Sequence, residues 1–145
     1  MATKKLQEQI VSNMRRWQGI ENASVASTGQ VIGETENPIV RLIMEVIQND
    51  SQMHYRVQGL IADSLERTTI SLTPDELGEV WQLIEEHIKI EKKTLKLARE
   101  ALAALKGRKM LVQEYLLKYL EEDEKKHNRL LSGLKKIKDG MYPYG

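Results

Sequence analysis

The chain has 145 residues, 41% of them hydrophobic, the size and apolar content of one domain with one continuous core. Twenty-two basic residues against twenty-one acidic ones leave a formal charge of +1, so no strong global field draws in nucleic acid or an anionic membrane. The absence of cysteine excludes disulfides, iron–sulfur ligation, zinc ribbons and thiol catalysis. No apolar run approaches the ~20 residues that would span a bilayer, and the opening segment lacks the unbroken apolar stretch of a signal peptide. These features predict a soluble, cytoplasmic protein.

Leu6, Ile10, Met14 and Trp17 recur at helical spacing and predict a short amphipathic helix over 4–18. Residues 19–36 turn small and polar, with three glycines and no apolar period, and read as a flexible linker. Residues 1–35 are thus expected to be a helix and tether beside the main bundle. Asn37 followed by Pro38 is a helix start, because asparagine caps well and proline at the first position loses no hydrogen bond. A long helix is predicted from there to near Arg67. The next begins at Thr73, where Pro74 follows the cap and Glu76 completes a capping box. It ends at Lys106 and Gly107, and a third long helix runs on to about Gly140. The expectation is an all-α protein: three long helices and a short N-terminal one, with the bundle over 36–140 and a tail over 141–145. Short connections between helices each ~45 Å long make the bundle antiparallel.

The polar sequence "DSQMHYR" at 50–56 returns as "DEKKHNR" at 123–129, and the chain has only three histidines. Asp50 and His54, His87 and Glu91, and Asp123 and His127 each interrupt an apolar stripe as a pair four residues apart. The order reverses in the middle helix, the one expected to run the other way. In an antiparallel pair, residues level with each other share a constant index sum. Pairing His54 with His87 and Asp50 with Glu91 places the turn between Ile70 and Ser71, and pairing His87 with His127 and Glu91 with Asp123 places the next turn at Gly107. Both fall on predicted turns. The three histidines are therefore expected in one layer and the three carboxylates in the next, about 6 Å away, with the two layers partly merged because helical side chains lean toward their N-termini.

Such a cluster is costly to bury without compensation. Imidazole plus carboxylate is a ligand set that suits iron, manganese or zinc. The alternatives are a self-neutralising hydrogen-bonded network in a non-enzymatic structural or interaction bundle, or an opening to solvent or substrate. Glu86 and Glu124 are reserve ligands beside the stripe.

The segments "NPIVRLIMEVIQNDSQMHYR", "LTPDELGEVWQLIEEHIKIEKK" and "YLLKYLEEDEKKHNRLL" resemble the ferritin-like, rubrerythrin-like superfamily over about residues 36–139. That resemblance implies a four-helix bundle holding metal, usually iron, on glutamates and Glu-x-x-His motifs, with oxygen, peroxide or iron chemistry. Glu124 and His127 fit the motif, whereas Ser51 stands where a glutamate would precede His54, and the middle helix offers His87 and Glu91 instead. No rubredoxin module is possible without cysteine, so electrons for any redox step would come from a separate redox partner. Three long helices leave apolar surface uncovered, which predicts a homo-oligomer. No nucleic-acid or membrane partner is expected.

Overall fold

The computed structural model describes residues 2–140, so the predicted tail over 141–145 lies outside the described residues. Among them the chain is all-α, with four helices: α1 (Ala2–Glu34), α2 (Pro38–Glu66), α3 (Pro74–Ala104) and α4 (Leu111–Lys138). They form two compact units, Met1–Ile70 and Ser71–Gly145. In the first unit α1 packs on α2, and in the second α3 packs on α4. In each the two helices run antiparallel, as Arg15 to Glu66 and Arg41 to Ile32 at opposite ends of the first require, and Lys138 over the Trp81 ring and Arg99 to Glu121 in the second. None of the described helices is long and apolar enough to cross a membrane.

The expected short N-terminal helix and linker are overturned, because α1 runs unbroken through 33 residues. Its buried residues, Val11, Gln18, Glu21 and Thr28, are spaced by seven, three and seven, which is one helical face. That face is polar, so apolar periodicity does not reveal it. Packing sustains the segment where propensity is poor. Ser24 Oγ and Ser51 Oγ are 2.8 Å apart across the seam. Gln48 Nε2 donates to the Val25 carbonyl at 3.2 Å, and Gln18 Nε2 to the Tyr55 carbonyl at 3.1 Å. At the end of α1, Arg41 Nη1 donates to the carbonyls of Ile32 at 2.8 Å and Thr35 at 3.1 Å, satisfying groups that a helix C-terminus leaves open.

The other boundaries fall where their caps predict. The Asn37 side chain accepts from the backbone N–H groups of Ile39 and Val40, at 2.9 and 3.1 Å. Thr73 and Glu76 close a reciprocal capping box at 3.1 and 3.2 Å. Gly107 has φ +78°, a left-handed conformation that ends the α3 region without a Cβ penalty.

Two helices share only one seam, so the cores are narrow. Val11 and Ala62 are the buried apolar residues of the first hairpin, Leu77 and Ala98 those of the second. Ile20 at 61%, Leu83 at 69% and Leu130 at 65% remain exposed.

Continuity of α1 is testable at exposed Ala26. Ala26→Pro should cost ~3 kcal/mol or more in chemical denaturation, because interior proline removes a helix hydrogen bond and clashes with the preceding turn; a flexible linker would be indifferent. Gly19 and Gly133 have open space where a Cβ would sit. Their alanine variants should each gain about 0.5–1 kcal/mol. Gly59→Ala should gain less or lose stability, since its Cβ would stand 3.0 Å from Gln18 Nε2.

Candidate metal centre

In the second hairpin, α3 turns His87, Glu91 and Thr94 toward α4, and α4 returns Asp123, Glu124 and His127. The three-residue and four-residue spacings put each set on one helical face. Glu91 lies at the centre and is only 8% exposed. Its Oε1 is 2.9 Å from His87 Nε2 and its Oε2 is 3.3 Å from His127 Nδ1. Glu124 Oε2 lies 2.7 Å from the Thr94 hydroxyl and 3.7 Å from His127 Nδ1. On the far side of the ring, His127 Nε2 is 3.3 Å from Asp123 Oδ2. Ligand atoms of Glu91, Glu124 and His127 all lie within 4.8 Å of one another.

Two carboxylates this close do not both ionise freely. The hydrogen bond from Glu124 holds Glu91 below the usual carboxylate range, and the same contact holds Glu124 above it. The contact thus pushes the two carboxyls apart in acidity, Glu124 toward its protonated form and Glu91 toward its ionised one. Burial opposes ionisation of both, while His127 favours it.

Five of the eight residues expected to bind metal are therefore gathered here: His87, Glu91, Asp123, Glu124 and His127. Glu91 reaches His127 rather than sitting level with Asp123, as the lean of α3 side chains toward their N-terminus implies. Glu86, next to His87, is exposed. Asp50 and His54 belong to the first hairpin. Asp50 is exposed there, and His54 Nδ1 faces Glu21 Oε2 at 3.6 Å. Sequence reasoning missed Glu21, which it had placed in the supposed linker, and Thr94, whose hydroxyl holds Glu124. A spacing of 70 residues between Glu21 and Glu91, close to the 73 of the repeated Asp/His pairs, is the signal that could have found the first. The same spacing of 70 pairs Thr94 with Ser24.

Compared with known proteins, the chain matches no family model, no curated protein and no solved structure.

The opposed shifts of the two carboxyls give a pH prediction for metal-free protein. Glu124, with its folded pKa raised, contributes stability that is lost as pH rises through that value. Glu91, with its folded pKa lowered, contributes stability that is lost as pH falls through that value. The contribution of the pair peaks between the two, on either side of the ordinary 4.5. Glutamine mimics the protonated acid, so Glu124→Gln should gain in Tm relative to the parent as pH rises from 5 to 8. A Tm difference independent of pH would show that Glu124 is not shifted.

Proposed function

We propose that the protein binds a divalent transition metal ion through Glu91, Glu124 and His127, in a ferritin-like antiparallel helical bundle. The observation that carries this reading is the gathering of Glu91, Glu124 and His127 with one ligand atom of each within 4.8 Å of the others. A cation placed among them can bind both carboxylates and the ring nitrogen. Donors bound to one ion at ~2.0–2.2 Å stand roughly 3 to 4.3 Å apart, and the separations of 3.3 and 3.7 Å from the ring nitrogen lie in that interval. Two carboxylates and an imidazole suit iron, and also manganese or zinc.

The surrounding residues have positioning roles. Asp123 at His127 Nε2 favours the tautomer that leaves Nδ1 free to bind metal, the usual second partner of a ligating histidine. His87 fixes one oxygen of Glu91 and leaves the other facing the site. Thr94 restrains Glu124. When bound, iron would supply one-electron chemistry of the kind used with oxygen or peroxide, and its electrons would come from a separate redox partner. The pairing of Glu91 with Glu124 and His127 in Glu-x-x-His spacing is in keeping with the ferritin-like resemblance. Exposed apolar side chains such as Leu83 and Leu130 support assembly into a symmetric homo-oligomer.

A second reading is supported by the fact that both nitrogens of His127 face carboxylates. A doubly protonated ring could bridge Asp123 and Glu91 as a purely structural network, without metal.

Anaerobic titration with Fe(II), alongside Mn(II) and Zn(II), separates the two. Metal binding predicts saturable uptake and stabilisation of about 2.7 kcal/mol at a hundredfold excess over Kd. Glu91→Gln and His127→Gln should each abolish the site or weaken it at least tenfold, with Asp123→Asn costing about 10–100-fold. The structural reading predicts no uptake, and equal or greater stability when His87, Glu91, Asp123, Glu124 and His127 are replaced together by apolar residues.

A further inference from the structure

The two hairpins repeat one another. Positions of α1 correspond to those of α3 at a spacing of 70, and positions of α2 to those of α4 at a spacing of 73. The extra three residues are the difference between the two connections, residues 35–37 in the first hairpin and 105–110 in the second. Two buried positions of α1 share it, Glu21 with Glu91 and Thr28 with Ala98, whereas α4 has no buried residue to match Ser51, Gln58 and Ala62 of α2.

Three polar contacts at the centre correspond, while that of Asp123 with His127 has no counterpart at exposed Asp50. His87 Nε2 approaches Glu91 Oε1 at 2.9 Å, and Trp17 Nε1 donates to Glu21 Oε1 at 3.1 Å. His127 Nδ1 faces Glu91 Oε2 at 3.3 Å, and His54 Nδ1 faces Glu21 Oε2 at 3.6 Å. The Thr94 hydroxyl meets Glu124 Oε2 at 2.7 Å, and the Ser24 hydroxyl meets Ser51 Oγ at 2.8 Å. Glu21, Ser51 and His54 thus stand where the second hairpin has Glu91, Glu124 and His127.

Two buried oxygens of the first hairpin lack a hydrogen-bond partner, Gln58 Oε1 and Glu21 Oε2, and the second belongs to a carboxylate. Glu21 is only 7% exposed, and its Oε2 is buried without a hydrogen-bond partner. An unpaired buried carboxylate oxygen is costly. Its Oε1 is held by Trp17, so Oε2 is fixed facing His54.

We propose that Glu21 and His54, with Ser51 beside them, form a second divalent-cation site, weaker than the one in the second hairpin. The inference rests on the metal-binding reading of Glu91, Glu124 and His127, extended through the repeat. A cation there satisfies the orphan oxygen and takes His54 Nδ1 as its nitrogen ligand. The lower affinity follows from charge, because neutral Ser51 replaces Glu124 and the site loses an anionic ligand. The imidazole and carboxylate donors favour a first-row transition metal over magnesium or calcium.

The test is titration of the full-length protein with Co(II), followed by its visible absorption and by calorimetry, with circular dichroism confirming that each variant remains helical. Two ions per chain of unequal affinity are expected. Glu21→Gln and His54→Gln should remove the weaker and leave the tighter, while Glu91→Gln and His127→Gln should do the reverse. Ser51→Glu restores the missing carboxylate and should tighten the weaker site at least tenfold, an outcome that loss of folding cannot imitate. One ion per chain, sensitive to Glu91→Gln but indifferent to Glu21→Gln, His54→Gln and Ser51→Glu, would overturn the second site and leave the first reading intact. No uptake by any form would overturn both.

Discussion

Two helices packed side by side share a single seam, and a seam one or two residues wide leaves little room for a conventional apolar core. The buried positions of this chain are accordingly few and small: Ala62, Ala98, Thr28 and Ser51 sit where larger side chains would hold the backbones apart. Into each seam the sequence places one buried glutamate. Glu21 and Glu91 are both buried, and a buried carboxylate calls for partners from the facing helix or for a cation. The histidines, the hydroxyls and the second carboxylate of the α3–α4 hairpin are disposed around that requirement.

The same requirement fixes register. Sliding α4 by one turn along α3 would carry His127 and Glu124 away from Glu91 and leave its carboxylate with His87 alone. An apolar seam of alanines and leucines tolerates such a slip more readily, because one methyl group substitutes for another. Polar contacts with defined partners do not, which is the best-attested use of buried polar groups in paired helices.

How far the sequence disclosed this depends on which signal each segment carries. Capping is local chemistry, so Asn37, Thr73 and Glu76 announced their helix starts in isolation. The three glycines of residues 19–36 carried an equally local but misleading signal, since helix propensity is overridden when a face packs. There the decisive residues were Gln18, Glu21 and Thr28, whose period is visible only if polar residues are allowed into the seam. The Asp/His repeat was legible and led to five residues of the second hairpin's cluster. It could not disclose which helix each pair faces. The index sums are satisfied at two turns alike, and Glu21 of α1, which His54 faces, takes no part in either. Glu21 was missed for the same reason as α1: its helix had been assigned to a tether.

The connections of three and six residues have a kinetic meaning as well as a structural one. The seam contacts of each hairpin form between residues joined through its own short loop, so the entropy of closing that loop is small and the contacts are local in sequence. By loop length alone, neither hairpin waits on the other to bring its carboxylate and histidine together, so closure of one polar centre carries no entropic cost for the other.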